Sequence, residues 1–226
     1  MIGMSLTRRA LMWTLAGAPI GMDAAMAQSR TDTALLAAAA RGDLAEVERL
    51  LGEGAKVDVR DGDGRTPLLL ATRANHVAVA RALIAAGADV NAKDAIQDSP
   101  FLYAGAEGRT EILKMTLAAG ADLKSTNRYG GTALIPACHH GHVEAVKVLL
   151  ATAIDVDHIN KLGWTALLEA VILGDGGPDH TEIVRLLLAA RANPNIADRD
   201  GTTPLAHARR LGHAAIARLL DQAGGR

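Results

Sequence analysis

The chain has 226 residues, which is enough for a sizeable core in one or two domains. Its 24 basic and 25 acidic residues nearly balance, and no basic stripe offers a surface for nucleic acid. Two Trp, two Tyr and one Phe are too few for a conventional aromatic core, so the core must consist of Ala, Leu, Val and Ile. The single cysteine, Cys138, excludes a disulfide framework and a thiolate metal site within one chain.

Residues 1–27 have the composition of an export signal. Arg8 and Arg9 precede an apolar run at residues 10–22, and an Ala-Met-Ala stretch ends at Ala27, as before a cleavage site. The run is too short to span a bilayer comfortably, so no membrane span is expected after its removal. The paired arginines resemble the twin-arginine signal, which implies a bacterial protein that is exported to the periplasm already folded. The alternatives are export by the general secretory route and a disordered leader on a cytoplasmic protein.

After a short linker, residues 28–30, the rest of the chain repeats one pattern. The units start at residues 31, 64, 97, 130, 163 and 201, so successive starts are 33 residues apart except for the last interval, which is 38. Each opens with a turn and a hydroxyl residue that can cap the following short apolar helix, and a Gly-His type turn then leads to a second helix. A period of this length indicates stacked helix–turn–helix units. The capping residues are Thr33, Thr66, Ser99, Thr132, Thr165 and Thr203.

The repeated unit resembles the ankyrin repeat. Residues 64–71, GRTPLLLA, resemble the opening of that repeat, and residues 85–91, AAGADVN, resemble its closing segment. The resemblance covers residues 31–226. It implies an all-α repeat solenoid of six helix–turn–helix units, with β-hairpin turns projecting from one edge. It also implies a non-enzymatic domain that binds another protein through its hairpin tips and the concave ends of its first helices.

Units four and five depart most from the repeat. Ala153 and Arg191 occupy the position of a helix-ending glycine, where a left-handed non-glycine residue costs about 1 kcal/mol, so we expect altered turns or a small local penalty. Pro136 lies in the first turn of its helix, near the tolerated end. Residues 175–179 are inserted between the two helices of unit five. They form either a tolerated surface loop or a protrusion that reshapes the neighbouring concave face.

The partner surface follows when the ankyrin binding mode is carried onto this register. Apolar and aromatic residues occupy hairpin tips and helix ends where solvent-facing residues are expected, and basic residues rim them. The alternative is that Trp164 and Tyr129 pack over the adjacent hairpin. The candidate partner-binding residues are Arg128, Tyr129, Lys161, Leu162, Trp164, His139, His140, Ile172 and Leu173.

A metal site is the competing interpretation of the same region. Imidazoles at His139 and His140 could share a metal with Asp175, Asp179 and His180 of the enlarged loop. However, histidines recur at one repeat position where the ankyrin pattern itself has His for turn hydrogen bonding, and no recognised ligand spacing is complete. We therefore predict no metal and no cofactor. The recurring histidines are His76, His142, His180 and His213.

No catalytic constellation rises above the repeat pattern, and Cys138 is expected to be an inert core thiol. The sequence thus favours a protein-interaction module of the bacterial cell envelope whose partner it does not identify. The alternative function is a small-ligand or metal-binding protective protein, because the layout is similar to exported bacterial ankyrin proteins linked to stress tolerance.

Overall fold

The computed structural model describes the backbone of residues 20–226 and the side chains of residues 28–226. Twelve helices form six pairs, and the part of the chain that is described contains no β-strand. The predicted arginine pair of the export signal, Arg8 and Arg9, lies outside the described residues. The helices are α1 (Ile20–Arg41), α2 (Leu44–Gly52), α3 (Pro67–Arg73), α4 (Val77–Ala85), α5 (Pro100–Ala106), α6 (Thr110–Ala118), α7 (Leu134–His139), α8 (Val143–Leu150), α9 (Ala166–Ile172), α10 (Pro178–Ala189), α11 (Pro204–Arg210) and α12 (Ala214–Gln222).

The helices lie in two layers. The first helix of each unit packs mainly on the first helices of its neighbours, the second helix packs on second helices, and each pair packs together within its unit. A continuous core of Leu, Ala, Val and Ile runs between the layers, and Phe101 is its largest fully buried side chain. The prediction of an all-α repeat solenoid with an aliphatic core is confirmed. Each unit buries its apolar face only against its neighbours, which makes its stability a nearest-neighbour property.

Helix capping by the repeated hydroxyl is confirmed in four of the six predicted units. In these units the side-chain oxygen accepts a hydrogen bond from the backbone N–H three residues later. The prediction is wrong for Thr33, whose hydroxyl donates to the carbonyl of Ser29, because helix α1 begins well before it. The four confirmed capping residues are Thr66, Ser99, Thr165 and Thr203.

Thr132 also fails to cap its helix, and Pro136 is the reason. In the capped units, the backbone carbonyl of the capping Thr or Ser accepts the N–H of the residue four positions later. In unit five, for example, the Thr165 carbonyl accepts the N–H of Glu169. Proline has no N–H, so Ile135 donates to the Thr132 carbonyl instead, at 3.2 Å. The Thr132 hydroxyl is then left buried, without a hydrogen-bond partner among residues 28–226. The structural effect of Pro136 is therefore a lost cap.

The start of the first unit differs from the prediction. Residues 28–30, assigned to a linker, lie inside α1, and so does the predicted boundary at Ala27. The Gln28 amide donates to Asp32, and the Asp32 carboxylate accepts the backbone N–H of Lys56 at 2.9 Å. These contacts attach α1, at Gln28 and Asp32, to the turn after α2. Signal cleavage at Ala27 stays a prediction.

Each hairpin loop is organised by an Asp or Asn side chain at its first position. In the loop that begins at Asn160, the Oδ1 atom accepts the backbone N–H groups of Leu162 and Trp164, two and four residues later. The backbone of Asn160 is also hydrogen-bonded to the carbonyl of Trp164. The same side-chain pattern recurs in five loops. It was not among the predictions from the sequence. The five residues are Asp61, Asp94, Asn127, Asn160 and Asp198.

The irregular units behave as expected at their second helix ends. Arg191 takes the left-handed conformation, with φ of 66°, and so carries the predicted local penalty. Ala153 does not, and the turn there is altered: the Thr152 hydroxyl donates to the Leu149 carbonyl. The insertion 175–179 is only partly a loop, because α10 begins at Pro178. Its last two residues lengthen that helix to 12 residues.

Candidate functional site

A cleft of about 360 Å³ opens on the face that carries the hairpins and the first helices of units three to five. Helices α5, α7 and α9 form its floor, and two consecutive hairpin loops form one wall. The structure brings most of the predicted surface together here. The predicted residues that line the cleft are Arg128, Tyr129, His139, His140, Leu162 and Leu173.

Three predicted residues do not line the cleft. Lys161 lies at the rim, where its ammonium group donates to the carbonyl of Arg128 at 3.1 Å. Trp164 and Ile172 are half-buried and also lie outside the cleft lining. The half-buried state of Trp164 agrees better with the alternative of packing than with a fully exposed anchor. Tyr103 and Tyr129 are the aromatic residues that line the cleft, and Tyr129 is the more exposed of the two.

Tyr129 is held by its hairpin. The Asn127 side chain accepts the backbone N–H groups of Tyr129 and Gly131 at 2.9 and 3.0 Å, which fixes the loop on both sides of the ring. The Arg128 guanidinium lies 4.7 Å from the centre of the Tyr129 ring, as in a cation–π contact. The Tyr129 side chain is nevertheless 52% exposed. A large, pre-positioned aromatic group therefore remains open to solvent.

The neighbouring hairpin presents Leu162 in the same way. Backbone N–H of Lys161 donates to the carbonyl of Tyr129 at 2.9 Å, so the two loops are joined directly. Leu162 is 46% exposed and Leu173, at the end of α9, is 43% exposed. Large apolar side chains grouped around one cleft are typical of a binding surface.

Glu169 lies at the floor of the cleft, and the sequence analysis missed it. Its Oε1 accepts a hydrogen bond from the Asn160 side-chain amide at 3.0 Å, and its Oε2 lies 3.7 Å from Nδ1 of His139. The residue is only 6% exposed. Burial raises the pKa of Glu169 to about 7, although the Asn160 hydrogen bond and the charge of His140 act in the opposite direction.

A repeat-based signal could have found Glu169. It stands nine residues after the hairpin residue Asn160, and the same interval separates Asp198 and His207 in unit six. There the carboxylate oxygen lies 2.7 Å from Nε2 of the imidazole, and both side chains are buried. In units five and six, the polar side chain at this interval therefore pairs a hairpin with its own first helix.

Two further acids lie at the wall from unit three. Asp98 is partly buried, and burial together with the nearby Asp94 raises the pKa of its carboxyl above the usual value. An Arg73 nitrogen lies 3.8 Å from this carboxylate. Glu107 completes the acidic wall of the cleft. Carboxyl groups thus outnumber the guanidinium of Arg128 in the lining.

The residues of the metal interpretation are engaged in other contacts. His180 Nδ1 lies 2.8 Å from Asp175 Oδ1, and His180 Nε2 lies 2.8 Å from the His139 carbonyl. His140 Nδ1 lies 2.7 Å from the carbonyl of Ala106. Over residues 28–226, no three such side chains come together as a metal site. The candidates His139, His140, Asp175 and Asp179 therefore do not form a ligand set.

The recurring histidines pack on the turn of the preceding unit. A side chain at Gly42 would collide with the ring of His76, and one at Gly108 would collide with the ring of His142. Both glycines have positive φ, so the ring lies over a turn that only glycine adopts without cost. This arrangement accounts for these histidines as structural residues of the turn.

Cys138 lies in α7 and is fully buried, and desolvation raises the pKa of its thiol well above the usual range. The thiolate that nucleophilic chemistry requires is therefore disfavoured. Among residues 20–226, we find no helix with the length and apolar character needed to cross a membrane.

The family model described as "Ankyrin repeats (3 copies)" matches residues 8–94 and 101–198. The chain belongs to the ankyrin repeat family. Repeats of this family in general mediate protein–protein interaction and are typically non-enzymatic.

Individual relatives agree with this assignment. An ankyrin repeat domain from Acinetobacter baumannii AYE is 58% identical with a TM-score of 0.83, over 85% of this chain and 98% of that one. The ankyrin repeat protein EF0377 is 44% identical with a TM-score of 0.82, over 84% of this chain and 98% of that one. YahD of Escherichia coli (strain K12), named as an ankyrin repeat protein, is 48% identical over 56 residues, which span 25% of this chain and 28% of YahD.

Proposed function

We propose that this chain is a protein-interaction module whose partner binds in the cleft of units three to five. The observation that carries the proposal is the exposure of Tyr129, Leu162 and Leu173 around one cleft. Removing these side chains from water would favour association, because burial of apolar surface contributes about 25 cal/mol per Å² before the costs of binding. Lys161, Trp164 and Ile172 form the rim of the proposed surface.

The cleft is suited to binding because its walls are already ordered. Asn127 and Asn160 each hold one hairpin from within, and the Lys161 N–H joins the two hairpins through the Tyr129 carbonyl. A surface that is fixed before binding loses little conformational entropy when a partner arrives. Aromatic and arginine side chains at its centre are the kinds of residue that dominate measured interface energies.

Site-specific photo-crosslinking tests where the partner binds. A photoreactive benzoylphenylalanine placed at Leu162 should crosslink to one protein in the native cell extract, whereas the same probe at Ile96 should not. Ile96 is the matched control because it occupies the same hairpin position two units away and has the same exposed fraction, 46%. Equal crosslinking of one protein from both positions, or from Ile96 alone, would contradict binding in the cleft.

We also propose that the chain acts in the periplasm after export by the twin-arginine route. The support is the Arg8-Arg9 pair followed by the apolar run at residues 10–22. Cell fractionation of a variant with Arg8→Lys and Arg9→Lys tests it. Retention of the variant in the cytoplasm, with the unchanged chain in the periplasm, is expected. Export of the variant would rule out the twin-arginine route, and cytoplasmic location of the unchanged chain would rule out export.

A further inference from the structure

Glu169 is 6% exposed at the floor of the cleft, and one of its two carboxylate oxygens accepts no hydrogen bond from the described residues. Oε1 accepts the hydrogen bond of Asn160, but within residues 28–226 Oε2 accepts none, and its nearest basic nitrogen is His139 Nδ1 at 3.7 Å. An ionised carboxylate out of water is costly unless its oxygens are paired. The free side of Glu169 is part of the cleft lining, so a donor from outside the chain can reach it.

The rest of the lining also favours a positively charged occupant. Asp98 and Glu107 add two carboxyl groups, and among the described residues the Glu107 side chain forms no hydrogen bond or ion pair. Among the described residues that line the cleft, Arg128 is the one lysine or arginine, and its guanidinium already lies over the Tyr129 ring. Burial and the neighbouring His140 lower the pKa of His139 below its usual value, which favours the uncharged imidazole. The lining therefore holds three carboxyl groups against one guanidinium.

The shape of the cleft selects among cations. Its volume of about 360 Å³ is far larger than a metal ion needs, and the described residues bring no three metal ligands together. Leu162 and Leu173 supply an apolar mouth above the buried carboxyl. Lysine and arginine side chains have this character, since an aliphatic stem carries a charged group at its end.

We propose that the cleft receives a lysine or arginine side chain from an extended segment of the partner, with the stem at Leu162 and Leu173 and the charged end at Oε2 of Glu169. This inference rests on the proposed function and adds the chemistry of the partner. The charged group donates a hydrogen bond to the open oxygen Oε2 and also faces Asp98 and Glu107. The contact is a charge-assisted hydrogen bond to a largely buried carboxyl group, which is among the stronger polar contacts in proteins.

Peptide titration tests the proposal on the full chain. The probes are two blocked pentapeptides, acetyl-Ala-Ala-Arg-Ala-Ala-amide and its citrulline counterpart, which has nearly the same shape without the charge. Binding is followed by NMR through the backbone amides of Leu162 and Leu173. The arginine peptide should bind at least about tenfold more tightly than the citrulline peptide, because a hydrogen bond to a charged group has this effect.

The preference should depend on one carboxyl. In the Glu169→Gln variant, the arginine and citrulline peptides should bind equally to within about a factor of three, and Glu107→Gln should reduce the preference less, because that group is more exposed. Equal binding of both peptides to the unchanged protein would overturn the proposal. An arginine preference that survives Glu169→Gln, or shifts confined to residues outside the cleft, would also overturn it. If Glu169→Gln does not fold, the Glu107→Gln result and the shift mapping still decide.

Failure of this inference differs from failure of the proposed function. Partner binding that requires Tyr129 and Leu173 but is unchanged by Glu169→Gln contradicts only the basic side chain. Partner binding that ignores Tyr129 and Leu173 contradicts the cleft as the partner site. Native mass spectrometry of the purified chain supplies one further check: a stoichiometric small amine would identify a small-molecule occupant and overturn the assignment to a protein segment.

Discussion

The Asn160 side-chain amide donates a hydrogen bond to Oε1 of Glu169 at 3.0 Å, which ties a hairpin loop to the helix beneath it. Through its Oδ1 the same Asn160 side chain accepts the backbone N–H groups of Leu162 and Trp164. One residue therefore positions both the apolar tip and the buried carboxyl of the cleft. Asp198 and His207 repeat the arrangement in the next unit, where the imidazole Nε2 lies 2.7 Å from the carboxylate in place of the amide.

Glu169→Gln should change how stability depends on pH. The folded-state pKa of Glu169 is raised from 4.5 to about 7, so the folded chain binds more protons than the unfolded chain between these values. Wild-type stability from this group is fully present below pH 4.5 and is lost as pH rises through 7. The Glu169→Gln variant does not lose stability in this way, because glutamine does not titrate. Relative to wild type, it should gain on the order of 1 to 3 kcal/mol in unfolding free energy between pH 4.5 and 8.

Urea unfolding at pH 4.5 and pH 8 measures this difference, with Glu107→Gln as the control for a carboxyl that is less buried. A difference between wild type and Glu169→Gln that is the same at both pH values would show that Glu169 titrates normally.

Gly108→Ala should destabilise the chain. Gly108 has φ of 64°, and an added Cβ would lie 2.7 Å from the ring of His142, so backbone strain and a steric clash act together. We expect a loss of about 1 to 3 kcal/mol in unfolding free energy. Gly52→Ala is the control, since Gly52 is helical and nothing lies near its Cβ position. A loss at Gly108 no larger than at Gly52 would contradict the packed turn.

Much of the fold follows from the sequence because the 33-residue period aligns every unit with five others. Helix starts at Pro67, Pro100 and Pro204 are visible in this way, and the structure confirms them. The start of α1 is not visible, because the residues before Thr31 have no counterpart in another unit. The missing cap at Thr132 could have been predicted from the sequence, because proline has no backbone N–H and Pro136 stands four residues after Thr132.

The candidate site was predictable in outline. Tyr129, Leu162 and Leu173 stand out because they are apolar at register positions that face solvent. The nine-residue interval from Asn160 marks Glu169 as a polar residue that can pair with its hairpin, but its burial depends on walls from three units. Sequence register gives the position of a residue within its unit. It does not give how deeply the neighbouring hairpins enclose that position.

Asn127→Ala should loosen the hairpin that carries Tyr129. The change removes the acceptor of two backbone N–H groups, those of Tyr129 and Gly131. Hydrogen exchange at these two amides should accelerate, and unfolding free energy should fall by about 1 to 3 kcal/mol. Asn127→Asp keeps an oxygen acceptor at the same place and should lose less than half as much. Equal losses in both variants would show that this acceptor does not stabilise the loop.

Thr132→Ala and Thr165→Ala should differ, although both residues are buried at the same repeat position. Thr165 caps α9 through the N–H of Leu168, so its loss should cost about 1 kcal/mol. The Thr132 hydroxyl has no partner, so its removal should be neutral or stabilising. Thermal melting of the two variants compares them directly. A cost at Thr132 equal to that at Thr165 would show that Thr132 caps its helix in solution.

The most direct test is the affinity of the crosslinked partner for two matched double variants. Tyr129→Ala with Leu173→Ala removes exposed apolar groups from the cleft, whereas Ile96→Ala with Leu211→Ala removes equally exposed groups outside it. We expect the first pair to weaken binding by at least about tenfold, and the second to change it by less than threefold, with melting temperatures close to wild type in both. Unchanged affinity in the cleft variant would contradict this surface as the partner site.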